Sequence, residues 1–258
     1  MTPYYADEWV TLYHGDCRDV MPYLDGPLDL VVTDPPYGET SLGWDRWPDG
    51  WVYTIPNAVR SMWCFGSLRM FLHRHQEFMC WRLSQDVIWE KHNGSGFAAD
   101  RFKRVHEIAT HWYRGDWSTI YRDVPRVPGQ ARPSATSRRR QQPAHTGTIG
   151  SAVYEYGDTR MARSVIRVRS MNGLARHPTE KPVGILDPLI RYGCPEGGTV
   201  LDPFAGSGST GEAARLSGRK AVLIEADERY CEVIAQRMSQ GVLVPAGSTP
   251  DTGDSDGD

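Results

Sequence analysis

The chain has 258 residues with a formal net charge of −3, long enough for one large domain or one domain carrying an insertion. Its five cysteines (Cys17, Cys64, Cys80, Cys194 and Cys231) form no C-x-x-C pair and no histidine spacing for zinc, so they read as reduced thiols of a cytoplasmic protein without a structural metal. No apolar stretch approaches the length of a membrane span, and residues 1–8 lack the basic and apolar regions of a signal peptide.

In chain order, residues 9–13 read as a strand and 19–24 as a short helix. Residues 28–33 form an apolar run that reads as a buried strand, and it ends in Asp34-Pro35-Pro36-Tyr37. Each proline fixes its φ near about −65° and lacks an N–H. Each also holds the residue before it extended. The Pro35 carbonyl is therefore held still between a carboxylate and an aromatic ring. Such a corner can accept both hydrogens of an exocyclic amino group while Tyr37 stacks on the ring that bears it. Taken alone, the same residues also describe a proline-stopped strand with a surface turn. Residues 38–49 are a turn-rich loop whose Trp44 and Trp47 form a flap over that pocket or pack beneath the loop. The pattern then predicts a helix over 51–63 despite Pro56, a strand over 68–72, a helix over 74–83, a strand over 86–90 and its antiparallel neighbour over 107–113. His106 stands alone and reads as a hydrogen-bonded structural residue rather than a metal ligand.

Charge is unevenly spread. Residues 95–170 hold fourteen Arg/Lys against six Asp/Glu, an excess of +8 that leaves −11 on the rest of the chain. This is the footprint of a phosphate-facing insert on an acidic body. Pro125, Pro128, Pro133 and Pro143 break any long element there, and Arg138-Arg139-Arg140 sits among Ser, Thr, Gln and Pro. A basic arm of this kind is expected to be mobile when free and to order on phosphates. Charge alone confers affinity without sequence preference.

A helix over 182–192 leads through the turn at 195–198 to a short strand at 199–201. Asp202-Pro203-Phe204-Ala205-Gly206-Ser207-Gly208-Ser209-Thr210 follows, and then a helix over 211–216. Strand, glycine-rich turn and helix make a nucleotide-cofactor layout, with glycines admitting close backbone approach. Gly206, Gly208 and Gly211 satisfy G-x-G-x-x-G, and the absence of Gly-Lys-Ser/Thr excludes a Walker A loop. Glu225, ending the strand at 221–224, is placed to accept from ribose hydroxyls, or is simply a strand-end carboxylate. The last helix, 228–238, is capped by Asp227, and the acidic tail from 245 to 258 reads as disordered.

Together these residues resemble the DNA amino-methyltransferases, S-adenosylmethionine-dependent enzymes that methylate adenine N6 or cytosine N4. The catalytic Asp34–Tyr37 motif comes first, then a target-recognition region, then Phe204-x-Gly206-x-Gly208. That is the order of the β class, a circular permutation of the α class. His14-Gly15-Asp16-Cys17 and His177-Pro178-Thr179-Glu180-Lys181-Pro182 also fit, so the resemblance covers most of residues 9–92 and 172–238. It implies an α/β fold, a doubly wound Rossmann-like methyltransferase sheet, circularly permuted, with a basic inserted target-recognition region. Residues 1–114 would be the catalytic half, 115–170 the partly disordered insert, 171–244 the cofactor half and 245–258 the tail.

The resemblance also implies roles. Asp34, Pro35, Pro36 and Tyr37 would be catalytic. Asp202, Pro203 and the loop from Phe204 through Ala205, Gly206 and Ser207 to Gly208 would hold the methionine end of S-adenosyl-L-methionine. Glu225 would take the ribose, Asp16 the adenine amino group and the Cys17 N–H the adenine ring. Thr179 and Lys181 would close over the methionine carboxylate, Lys181 being otherwise a surface lysine before a helix. Ser209 and Thr210 would contact cofactor or cap the helix. Arg138, Arg139 and Arg140 would meet double-stranded DNA; no metal or membrane is implied, and a homodimer is compatible. In this family Asp at the first motif position leans toward adenine N6, with cytosine N4 the alternative. A nicotinamide-dependent oxidoreductase would explain the glycine loop and Glu225 but not Asp34–Tyr37. An RNA or protein-glutamine methyltransferase usually has Asn in place of Asp34, and a non-catalytic DNA-binding protein would not need both sites.

Overall fold

The computed structural model describes residues 1–95, 100–128, 159–170 and 180–240. The chain opens with the short edge strand β1 (Tyr5–Ala6) and β2 (Val10–His14). Asp16 caps helix α1 (Cys17–Val20) by accepting from the Arg18 N–H at 2.9 Å, and a 3-10 turn (Met21–Tyr23) extends it. Strand β3 (Leu30–Thr33) is buried throughout.

The next stretch departs from the pattern-based expectation. In place of a helix over 51–63, α2 (Trp51–Thr54) stops after four residues and strand β4 (Ser61–Gly66) follows. Ile55, before Pro56, takes ψ 124°, the extended geometry that a following proline imposes. All six residues of β4 are buried, so it lies between two packed layers and carries no alternating pattern. Residues 68–72, expected as a strand, belong to helix α3 (Leu68–Arg74), which Ser67 caps by accepting from the Met70 N–H at 2.9 Å. The expected helix over 74–83 is a 3-10 turn (His75–Phe78) running into the long strand β5 (Arg82–Ser95). Its antiparallel neighbour β6 (Arg104–Tyr113) is where the pattern places it.

Strand β7 (Arg126–Pro128) pairs with β8 (Thr159–Met161) in a small separate sheet, and β9 (Val165–Arg167) joins β5. Then come α4 (Val183–Gly193), β10 (Thr199–Asp202), α5 (Ser209–Leu216), β11 (Lys220–Glu225) and α6 (Glu228–Ser239), the last capped by Asp227.

The main sheet runs β1-β2-β11-β10-β3-β4-β6-β5-β9. The central five strands, β2 to β4, are parallel. Pairing of β11 with β2 places Glu225 opposite His14, joining the end of the described chain to its beginning as the permuted order requires. Alternation along the strands divides the core. Leu30, Val32, Trp63 and Phe65 pack with α4, α5 and α6 on one face. Val31, Met62 and Cys64 pack with Trp47, Trp51, Val52 and Phe78 on the other. The five parallel strands deliver their carboxyl ends to one edge, and the sheet divides there between β10 and β3, where open α/β sheets hold ligands.

One core group carries a pH signature. His111 on β6 is fully buried, with Nε2 2.8 Å from Ser61 Oγ and Nδ1 against Ser84 Oγ. Burial pushes its imidazole down to about 4. The unfolded chain takes this proton near pH 6.5 and the folded chain resists it until about 4. The contribution is therefore complete above pH 6.5 and is lost as pH falls to about 4, amounting to about 3 kcal/mol. The difference in urea stability between wild type and His111→Gln, measured at several pH values, should narrow across that window. A pH-independent difference would refute the assignment.

Candidate active site

The catalytic corner begins where β3 ends. Asp34 Oδ1 accepts from the Tyr37 hydroxyl at 2.6 Å, and Oδ2 pairs with the Lys181 ammonium, which arrives from 147 residues away. Lys181 Nζ also lies 3.2 Å from Glu107 Oε2 on β6, and Glu107 Oε1 pairs with Lys91 on β5. Burial raises the Asp34 carboxyl above the usual range, Lys181 works against it, and Glu107 reinforces it. Burial likewise raises the Tyr37 phenol, with Asp34 adding to the effect. Lys181 is raised on balance, since Asp34 and Glu107 outweigh its burial.

The loop after the corner is braced from within. Asp45 is buried and accepts the backbone N–H groups of Gly38, Glu39 and Thr40 at 2.7–3.0 Å. The two tryptophans divide. Trp44 lines the cavity and is 44% exposed, whereas Trp47 packs inward against Trp51 and Phe78 and donates to Glu77 at 2.7 Å. Trp47 therefore does not form a flap; its indole is wide enough to serve the core beneath the loop.

The cofactor motif lies on the neighbouring strand. Asp202 ends β10 and accepts from the Phe204 N–H at 3.1 Å. Burial pushes its carboxyl up to about 6. Phe204 stands edge-on to Trp51 at 5.1 Å. Gly208, at φ +81°, is the cap residue of α5, so neither Ser209 nor Thr210 caps that helix. A Cβ on Gly211 would sit 2.8 Å from Leu223 Cδ1, so glycine lets the helix lie close against β11 without moving that side chain. Arg237 of α6 donates to the Ser207 carbonyl at 2.9 Å and pairs with Glu180 and Glu212, clamping the loop from behind.

Glu225 ends β11 with Oε2 accepting from the Gly206 N–H at 2.8 Å and Oε1 from Asp227 N–H at 2.9 Å. Burial raises its carboxyl nonetheless. Asp16, beyond β2, is held below the usual carboxylate range by its bonds to Arg18. Cys17 is buried, its thiol pushed up to about 12.

One cavity of about 880 Å³ connects the two halves. Asp34, Pro35, Pro36, Tyr37 and Lys181 line one end, and Asp16, Cys17 and Glu225 the other. Asp202, Pro203, Phe204, Ala205, Gly206 and Ser207 lie between, with Ser209 and Thr210. Gly208 faces Ile234 and Met238 and does not line the cavity. Thr179 and Arg138, Arg139 and Arg140 lie outside the described residues. Among the residues described, no cluster of three His, Cys, Asp or Glu could hold a metal, and no helix is long and apolar enough to cross a membrane. Lys91 and Glu107 fall in segments, 88–91 and 106–107, that look family-like in sequence, but no role followed there for them or for Asp45, because each acts through a partner remote in sequence or through main-chain N–H groups.

A family model described as DNA methylase matches residues 28–237. The chain belongs to this N6/N4 DNA methylase family. The methylase is 26% identical over 259 residues to the type II methyltransferase M.ScaI of Streptomyces caespitosus, covering 92% of this chain and 83% of that protein. It is 24% identical to the type II methyltransferase M.HinfI of Haemophilus influenzae, covering 89% and 68% respectively. Its fold is similar to that of M1.HpyAVI in complex with SAM (TM-score 0.64, 20% identity, 89% of this chain and 98% of that one). It is also similar to the cytosine-N4-specific PvuII DNA methyltransferase (TM-score 0.61, 16% identity, 96% and 90%). Family membership sets aside the oxidoreductase reading, and the similar M1.HpyAVI structure holds S-adenosylmethionine.

Proposed function

We propose that this methylase transfers a methyl group from S-adenosylmethionine to N6 of an adenine rotated out of double-stranded DNA. The observation that carries the reading is one cavity lined both by the Asp34–Tyr37 corner and by the Gly206 loop with Glu225. The residues suit a cofactor whose reactive group is a cation. Asp202 and Glu225 put carboxylates at the ends of neighbouring strands, and Asp16 adds a third beyond β2. Glu225 would meet the ribose, Asp16 and the Cys17 backbone the adenine, and the Asp202–Ser207 segment the methionine end. When bound, the cofactor supplies an activated methyl group on a sulfonium.

The chain's part in the chemistry follows from the weakness of an aromatic amine as a nucleophile. Its lone pair is delocalised into the ring. Acceptance of its two hydrogens by the Asp34 carboxylate and the Pro35 carbonyl favours a tetrahedral nitrogen with a localised pair. The same acceptors stabilise the positive charge that grows on nitrogen as the methyl arrives. Alignment of the two reactants supplies much of the remaining rate, and no covalent enzyme intermediate is required. Rotating the base out by about 180° costs a few kcal/mol. Stacking on Tyr37 returns about 1–3 kcal/mol. Arg138, Arg139 and Arg140 would meet phosphates on the strength of the sequence, and Arg46 and Arg104, which line the cavity, would add to them.

Asp34 at the head of the motif favours adenine over cytosine. Methylating unmodified DNA with a labelled donor and chromatographing the digested nucleosides should give N6-methyldeoxyadenosine. Label confined to N4-methyldeoxycytidine would overturn the choice of base, and label in neither would overturn the activity.

A further inference from the structure

Both oxygens of Asp34 are already engaged: Tyr37 donates to one and the Lys181 ammonium pairs with the other. Lys181 takes an acceptor position on Asp34 Oδ2 and offsets its charge, so Asp34 serves an incoming amine poorly while Lys181 stays there. Lys181 cannot simply let go, because it is only 7% exposed and an unpaired buried ammonium is costly. A second seat stands beside it. Glu107 Oε2 is buried, lies 3.2 Å from Lys181 Nζ, and accepts no other hydrogen bond among the described residues. Its sister oxygen is held by Lys91, whose ammonium also lies 4.7 Å from the Trp89 ring centroid, so the carboxylate is fixed in place.

We infer that Glu107 is a positioning residue that receives Lys181 when the target amine displaces it from Asp34. The inference rests on the proposed amino-methyl transfer and deepens it. Lys181 keeps a carboxylate partner through the exchange, so freeing Asp34 leaves no charge stranded. The groups facing Asp34 are Lys181 before α4, Glu107 on β6, Tyr37 on its own segment, Cys64 on β4 and Asp202 on β10, with Lys91 on β5 behind Glu107.

The test is Glu107→Gln in the full-length protein, assayed for methyl transfer beside wild type. With Glu107 no longer charged, Lys181 should stay on Asp34, and kcat should fall roughly 10–100-fold with a smaller change in the KM for S-adenosylmethionine. The acid limb of the kcat profile should also move to lower pH. Removal of a neighbouring negative charge, and closer pairing with Lys181, both make Asp34 easier to ionise. A merely structural role for Glu107 would raise the KM for S-adenosylmethionine at least as much as it lowers kcat, and this outcome overturns the inference. So does an unchanged kcat. If the Gln variant does not fold, Glu107→Asp replaces it: drawing the charge back by one methylene should lower kcat a few-fold, and wild-type kcat would overturn the inference. Absence of methyl transfer by wild type would instead bring down the proposed function itself.

Discussion

Asp34→Ala is expected to slow methyl transfer by about a thousandfold or more. Binding of S-adenosylmethionine should remain within a few-fold of wild type. Removing the side chain takes away the carboxylate that would accept from the amine at this corner and offset the positive charge forming on it. The Pro35 carbonyl remains but carries only a dipole. The variant should still fold, because Lys181 keeps Glu107 at 3.2 Å and is not left as a lone buried charge. Asp34→Asn should lie between the two, since one amide oxygen still accepts while the charge is gone. A tritiated-methyl assay with calorimetry of cofactor binding separates the two effects. Near-normal turnover in Asp34→Ala would remove Asp34 from the chemistry, and loss of cofactor binding would make its role structural.

Glu225→Ala should act on the opposite property. The wild-type carboxylate accepts from Gly206 and Asp227 backbone N–H groups while lining the cavity. Without it, two part-buried donors lose their partner, the glycine loop loses its tether to β11, and the expected ribose acceptor is gone. Losing charge-assisted hydrogen bonds of about 1.5–3 kcal/mol weakens S-adenosylmethionine binding roughly 10–100-fold. At saturating cofactor, kcat should recover to near the wild-type value. Glu225→Gln keeps an acceptor oxygen and should lose less. Calorimetry showing unchanged affinity for the alanine variant would exclude Glu225 from the cofactor site.

The parts of the site legible in the sequence are those whose residues carry their own geometry. Asp34-Pro35-Pro36-Tyr37 announces a rigid corner because proline dictates its own backbone and that of the residue before it. Gly208 and Gly211 announce a tight loop because Gly208 takes a positive φ and Gly211 lies close against Leu223 of β11. The strands β2, β3, β10 and β11 are readable from apolar runs closed by turn residues. Residues 51–83 were not, for two reasons. The continuous apolar character of β4 reflects burial on both faces and has no period to read. The capping role of Ser67 becomes evident only once the strand before it is known. Lys181 illustrates a different limit. Its resemblance-based role is toward a cofactor carboxylate, while the fold sets it against Asp34 and Glu107. Nothing local to position 181 encodes partners 147 and 74 residues away.

The strand order has a consequence for how the molecule is made. Strands β2 and β3 precede in synthesis the two strands that belong between them, β10 and β11, with β4 to β9 made in the interval. Until then β2 and β3 each have an edge of unpaired backbone N–H and C=O groups where β11 and β10 will pair. The final strands must slide into the middle of a half-built scaffold rather than add at its rim. Such assembly demands long-range loop closure before any reward, which slows folding and exposes sticky edges to other chains.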